Sequence, residues 1–249
     1  MSAESTSGVS GAEERWADGL GEETDFWRRW LAEKGGDWAF DYVWRTDPSS
    51  PLQPYLTDEI PSPGAVVRVL DVGSGPLTIL GKTWGGRTVE ITAVDPIADR
   101  YAELLAEAGV ASLVPLVVGE AEKLSSLFPA SRFDLVYAQN CLDHSHDPLR
   151  CIREMLAVVK PGCRVALVHA IDEGEAMQYA GLHQWNFREE DGRFVIWRDG
   201  LRVDVTDAVS AIADVRVESF PEHRYLSVVL TRHAPGSAPA RWRRWMRRD

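Results

Sequence analysis

A chain of 249 residues, 45% hydrophobic and 26% charged, can bury one substantial core, and nothing divides it clearly into two domains. Its net charge of −11 gives no general attraction for nucleic acid or anionic lipid, which favours a small-molecule or protein partner over RNA or DNA. The three cysteines, Cys141, Cys151 and Cys163, have neither paired zinc spacing nor disulfide-framework density; no apolar run reaches roughly 18 residues and the start is polar, so the expectation is a cytoplasmic protein without a membrane span or secretion signal.

Residues 1 to 11 are small, polar and aperiodic and read as disordered, with order beginning near Ala12. From Glu14 to Glu33, Trp16, Leu20, Phe26, Trp27, Trp30 and Leu31 come at mixed helical spacing interrupted near Gly19 and Gly21, which predicts one or two short helices. Trp38, Phe40, Tyr42 and Trp44 continue the aromatic density, and Pro48, Pro51, Pro54, Pro61 and Pro63 predict a rigid linker. Five of the ten tryptophans, Trp16, Trp27, Trp30, Trp38 and Trp44, thus lie in an extension, residues 1–63, ahead of the main domain, 64–233. The extension reads as a helical lid that excludes water from a site; plain packing on the core, or contact with a second copy in a homodimer, is the alternative.

Strands and helices then alternate: a strand over 66–72, a helix near 77–84, strands at 89–94 and 115–118 around a helix at 97–108, and a strand at 133–138. Asp147 caps a helix whose stripe is Leu149, Ile152, Leu156 and Val159, with Pro148 in its first turn and Pro161-Gly162 as its stop. Arg164 to Val168 is a fifth strand, and Val215 to Phe220 with Tyr225 to Arg232 reads as a final antiparallel pair. A hairpin insertion flanks Asp199-Gly200. This alternation implies a parallel sheet with helices on both faces. Residues 234–249 form a basic tail, read as solvated, with RNA, a membrane surface or an acidic partner as alternatives.

The richest local signal is Val66 to Pro76 followed by Val89 to Asp95. Two buried strands each end in a carboxylate, and Gly73 and Gly75 let the backbone turn and approach a ligand. Asp95, about 20 residues beyond the loop, suits ribose hydroxyls. A dinucleotide is disfavoured, since Thr78 stands where its fingerprint needs a small residue and Asp71 would face a pyrophosphate. A cationic nucleoside suits that acid better.

On these residues the chain resembles the class I S-adenosylmethionine-dependent methyltransferases, from about Val66 to Arg232. Asp71-Val72-Gly73-Ser74-Gly75 is similar to the first motif, with Leu77 in place of the third glycine. Asp95 matches the ribose-binding acid, Gly119 to Leu124 the adenine border with Glu120 in its acidic position, and Phe133 to Asn140 the fourth strand. The resemblance implies a Rossmann-like, seven-stranded, mostly parallel sheet. It also implies S-adenosylmethionine as cofactor, held by Asp71, Gly73, Ser74, Gly75, Asp95, Pro96, Glu120, Ala121, Gln139 and Asn140. A small-molecule acceptor, methylated on oxygen or nitrogen, is the leading expectation; a specialised metabolite or sugar-containing compound fits best, with an RNA or protein methyltransferase or a non-catalytic cofactor-binding scaffold as alternatives.

Methyl transfer needs positioning and, for an alcohol, a base near the end of the fourth strand. His144 is the first candidate, with Asp143 as its orienting partner or as a direct substrate contact, because imidazole titrates near neutrality. His183 is an alternative base, and Gln184, Trp185 and Asn186 are expected in the substrate pocket wall. Asp143, His144, His146 and Asp147 also read as a ligand set, but the spacing of the histidines and the capping role of Asp147 leave no metal site expected.

Overall fold

The computed structural model describes residues 7–61, 63–234 and 236; the basic tail beyond them, and residues 1–6, lie outside the described residues. Helix α1 spans Ser7–Ala32 without a break, and α2 (Ala39–Thr46) follows a single 3-10 turn. The expectation of one or two short helices over Glu14 to Glu33, interrupted near Gly19 and Gly21, is therefore corrected to one continuous helix that starts ahead of Ala12. Gly19 lies inside this helix, where its missing side chain makes room for Leu182, whose nearest atom would lie 2.4 Å from an added Cβ. A short helix, α3 (Pro54–Thr57), interrupts the proline-rich linker.

The central sheet contains β1 (Val66–Val72), β2 (Thr88–Asp95), β3 (Leu116–Val118), β4 (Phe133–Gln139), β5 (Val159–Ala170), β9 (Ala213–Phe220) and β10 (Tyr225–Arg232), in the order β3-β2-β1-β4-β5-β10-β9. All neighbours are parallel except the pairs made by β10, which runs antiparallel to both β5 and β9. Helices α4 (Ala98–Ala108), α5 (Leu124–Leu127) and α6 (Pro148–Val158) fill the crossovers, and α7 (Glu173–Ala176) follows β5. The hairpin insertion is present as β7 (Arg193–Arg198) and β8 (Leu201–Asp204), extended by β6 (Asn186–Glu190) into a separate three-stranded sheet and closed by α8 (Val205–Ala208). No helix among the described residues is long and apolar enough to cross a membrane.

Alternation along β1 and β4 explains the two layers. Leu70, Val72, Val136 and Ala138 face α6 and the insertion, packing with Ile152, Met155, Phe187 and Phe194, while Val67, Val69, Leu135 and Tyr137 face the linker residues Leu52, Leu56 and Ile60. Asp147 caps α6 as expected, accepting from the Arg150 amide at 3.0 Å. That helix ends at Val158, however, and Pro161-Gly162 lies within β5. Val159 already pairs with Phe133, and the register shifts before Leu135 meets Arg164. Pro161, which has no amide to donate, falls in this irregular stretch.

The helix expected near 77–84 does not form. Backbone groups of this segment are taken by the linker instead: the Lys82 and Thr83 amides donate to the Ser50 carbonyl at 2.7 and 3.1 Å, Leu52 donates to Thr83 at 2.7 Å, and Gln53 bonds both the Ile79 carbonyl and the Gly81 amide. The 73–87 crossover is thus an irregular strap laid along residues 50–53. Gly81 permits the contact, since a Cβ there would lie 1.8 Å from the Pro51 carbonyl oxygen. Gly81→Ala should therefore lower the melting temperature, a loss of about 2 kcal/mol or more as for other buried backbone clashes. Gly85→Ala, with open space around its Cβ, should leave it nearly unchanged in the same thermal melt.

Candidate functional site

A cavity of about 680 Å³ opens at the carboxyl ends of β1, β2 and β4, beside the point where strand order reverses. All ten residues expected to hold a cofactor line it, as do Asp143, His144 and His183. The parallel register sets the ends of β1 and β2 side by side, Asp71 opposite Ala93 and Val72 opposite Val94, so that Asp71 and Asp95 meet at one wall.

Gly73 and Gly75 carry φ of 65° and 63°, the left-handed region, and an added Cβ would strike Cys141 at the first and Trp27 at the second. The loop is tied down on both sides. The Gly73 amide donates to Val94 at 2.8 Å, and the Gly75 amide donates to Asp95 at 3.1 Å. Asp95 also accepts from Ile97 at 3.2 Å, while Thr78 donates to Asp71 at 2.5 Å. Thr78 is thus the partner of the strand-end acid, a role its position in the motif did not disclose.

Both acids are buried, 2% and 6% exposed. Burial pushes Asp71 up to about 6, against the Thr78 hydrogen bond and the charges of Arg45 and Lys82. Burial likewise pushes Asp95 up to about 7, against its two backbone amides and aided by Glu23 and Asp71. Glu23 comes from α1, which also places Leu20, Phe26, Trp27 and Trp30 on the cavity wall. The wall therefore concentrates negative charge beneath aromatic rings, a fit for a cation joined to a nucleoside.

The tryptophans of the roof are fixed by Arg45, Asp41 and Glu23, which the sequence did not single out. Arg45 of α2 bonds Asp41 at 2.8 Å and the Leu77 carbonyl at 2.5 Å, with its guanidinium 5.6 Å from the Trp27 ring and 5.8 Å from Trp30. The Trp27 indole donates to Glu23 at 2.7 Å, an i, i+4 pair that only the helical reading of α1 could have offered. Trp30 is buried with Leu31, Leu77 and Tyr101, so the extension packs on the core as well as covering the cavity. The Trp16 side chain lies outside the described residues.

Across the cavity, Asp143 and His144 sit on a 3-10 turn, Leu142–His144, directly after β4, and His183 sits on the loop between α7 and β6. His183 Nδ1 lies 2.7 Å from Asp143 Oδ2, and His144 Nε2 lies 3.2 Å from that nitrogen and 3.5 Å from the same oxygen. Burial works against ionisation of Asp143, but the charge of His144 and the hydrogen bond from His183 hold its carboxyl below the ordinary range. His183 shifts upward: burial opposes its charge, yet the bond to Asp143 outweighs it. His169, buried without a partner for either ring nitrogen and 4.9 Å from Phe187, is driven down to about 4 by burial.

Gln184, Trp185 and Asn186 do not line the cavity. All three are buried, and their polar groups are committed: the Gln184 side chain donates to the Gly181 carbonyl at 2.8 Å and its backbone amide to the Asp143 carbonyl at 2.9 Å, the Trp185 indole donates to the Ser145 carbonyl at 2.8 Å, and Asn186 bonds Tyr179 and the Glu175 amide. They brace the turn that carries Asp143 rather than facing a substrate. Asn140, at φ 46°, joins the strand ends, donating to Tyr225 at 3.1 Å and accepting from Ala170 at 3.0 Å. His146 and Asp147 turn away from Asp143 and His144, toward Glu122, which accepts from both their amides and lies 3.1 Å from His146 Nδ1. Glu120 faces the cavity while pairing with Lys123 at 2.7 Å.

Residues 70–167 match the model of a family described as a methyltransferase domain. A rice protein named probable chloroplastic tocopherol O-methyltransferase is 33% identical over 103 residues, 40% of this chain, and the match spans only 28% of that relative's length. Among solved structures, a putative S-adenosyl-L-methionine-dependent methyltransferase from Methanococcus maripaludis aligns over 96% of this chain and 100% of its own, with a TM-score of 0.53 at 11% identity. The CurJ carbon methyltransferase aligns over 72% of this chain and 51% of its own, with a TM-score of 0.52 at 15% identity. At these identities the two structures establish a shared fold.

Both strand-end acids carry raised values, so in the ligand-free fold the stability they contribute is complete below the ordinary carboxylate value of 3.8 and is lost as pH rises through about 6 and 7. A cation in the cavity reverses that preference. Affinity for S-adenosylmethionine, measured by calorimetry, should therefore weaken as pH falls from 8 through 7 and 6, by up to about tenfold per pH unit and per group. Asp95→Asn should bind more weakly and show a flatter profile near pH 7.

Proposed function

We propose a specific chemistry for a chain that belongs to the class I S-adenosylmethionine-dependent methyltransferases: methylation of a hydroxyl oxygen on a small molecule, such as a specialised or sugar-bearing metabolite. The observation that carries this reading is the Asp143–His183–His144 cluster, which faces the same cavity as the acidic cradle. A hydroxyl attacks poorly until its proton is drawn away, whereas a neutral amine attacks first and loses its proton afterwards. A carboxylate and two imidazoles at the acceptor end of the cavity answer the first need. The sequence offered His144 and His183 as alternatives; their 3.2 Å contact, with Asp143 beside both, supports reading them as parts of one unit.

The chain's residues fit the cofactor by their charge. Asp71, Asp95 and Glu23 form an anionic cradle, Gly73 and Gly75 keep the loop free of side chains, and Pro96, Glu120 and Ala121 border the far wall. The irregular 73–87 strap removes the helix N-terminus on which a pyrophosphate would rest, which strengthens the case against a dinucleotide. When bound, S-adenosylmethionine supplies a methyl group already activated by its sulfonium charge. The residues above orient and enclose it, while Trp27, Trp30 and Leu182 keep water out.

An oxygen acceptor accords with the name of the rice relative, a tocopherol O-methyltransferase. The roof formed by α1 and α2 favours a small acceptor over a polymer, as does the net charge of −11. The test is transfer of labelled methyl from S-adenosylmethionine into a metabolite extract, with the product identified by mass spectrometry. On the product's precursor, His183→Ala and His144→Ala should each lower kcat by about 10²–10⁴-fold while cofactor affinity changes by less than about threefold. Equal loss of cofactor binding in both variants, or a product methylated on carbon, would refute the assignment.

A further inference from the structure

We infer that Asp143, His144 and His183 hold one divalent first-row transition ion, with its open positions turned toward the cavity. Three ligand atoms from two separate loops, Asp143 Oδ2, His144 Nε2 and His183 Nδ1, stand 2.7, 3.2 and 3.5 Å apart. Atoms at those separations all lie on a sphere of about 2.0–2.1 Å radius, the bond length of nitrogen and oxygen ligands to such ions. The three contacts are thus the edges of one face of a coordination polyhedron. The imidazole rings, 75° apart with centroids at 4.6 Å, direct two nitrogens toward that face without stacking on each other.

An ion at this face would accept a lone pair from all three atoms at once, and each of the three is a group that could hold one. Two imidazoles and one carboxylate, with no thiolate, select first-row divalent ions such as Zn²⁺, Co²⁺ or Mn²⁺ over Mg²⁺ or Ca²⁺.

The surroundings hold the face rigid. Asp143 is 3% exposed, and its turn is pinned to the His183 loop by the Gln184 amide on the Asp143 carbonyl and by the Trp185 indole on the Ser145 carbonyl. Glu120, Glu122 and His146 also converge. There, Glu122 is occupied by two backbone amides and Glu120 by Lys123, which assigns that group to bracing the approach to α6.

The consequence for catalysis rests on the O-methylation reading above, with the ion taking over from the imidazoles the task of loosening the proton, since a ligated ring nitrogen has no lone pair left to accept it. An acceptor hydroxyl at an open position of the ion, with a neighbouring oxygen at a second, would release its proton to water more readily. The acceptor oxygen then forms a bond to the methyl carbon as the methyl–sulfur bond breaks, and that electron pair remains on sulfur. The acceptor class is accordingly one with two adjacent oxygens, a vicinal diol, catechol or α-hydroxy carbonyl.

The test uses the full, untagged chain, stripped with chelator and titrated with Zn²⁺ by calorimetry and with Co²⁺ by visible absorption. One ion per chain is expected, with ligand-field bands of low-symmetry Co²⁺. His183→Ala and His144→Ala should each weaken binding by roughly a hundredfold or more, whereas His146→Ala should not. Absence of binding, binding that survives loss of both His144 and His183, or binding abolished by His146→Ala instead would overturn the site. Methyl transfer to oxygen by a stripped chain that binds no ion would overturn the site and leave the methyltransferase reading intact. A chain that binds the ion at these residues but methylates no hydroxyl would sustain the site and sink that reading.

Discussion

Two carboxylates taken out of water at adjacent strand ends are the constraint around which the rest of this molecule is arranged. Parallel pairing of β1 with β2 forces Asp71 and Asp95 into one neighbourhood, and ionising either there is unfavourable without compensating partners. Thr78 and the amides of Gly75 and Ile97 supply some of that compensation, and in doing so they fix the path of the loop. The remainder is a demand for positive charge directed into the cavity. Geometry of the loop and preference of the ligand therefore have one cause.

The departure of the glycine motif from the methyltransferase pattern it resembles has a structural account. Leu77, where the third glycine would stand, is 2% exposed and packs with Trp30, Leu31 and Tyr101, so it anchors the N-terminal extension. A helix beginning there would carry Leu77 away from that cluster and release the hydrogen bonds between the strap and residues 50–53. The extension is consequently built into the domain. The linker residues Leu52, Leu56 and Ile60 cover the face of the sheet that a crossover helix would otherwise protect.

What could be read from the sequence was whatever depends on neighbours along the chain. β1, β2, α4, β4 and α6 showed in periodicity and caps, and the cradle was legible because its acids and glycines end those same strands. The strap was not, because Gln53, Ser50 and Pro51 lie some thirty residues away from the segment whose backbone they capture. Pairing of Asp143 with His183 spans 40 residues and depends on how the loop after β5 folds back. The same fold-back turned Gln184, Trp185 and Asn186 inward: a polar, aromatic loop reads alike whether its side chains face a pocket or brace a turn. β5 reached past Pro161-Gly162 because an irregular register accommodates both residues, which local propensity alone would treat as a stop.

Trp27 and Glu23 lie one turn apart on α1, and Trp27 rests on Gly75. Any displacement of α1 large enough to uncover the glycine loop therefore withdraws a negative charge from the cavity in the same motion. Cover of the loop and the negative charge beside it are thus coupled through one turn of a single helix.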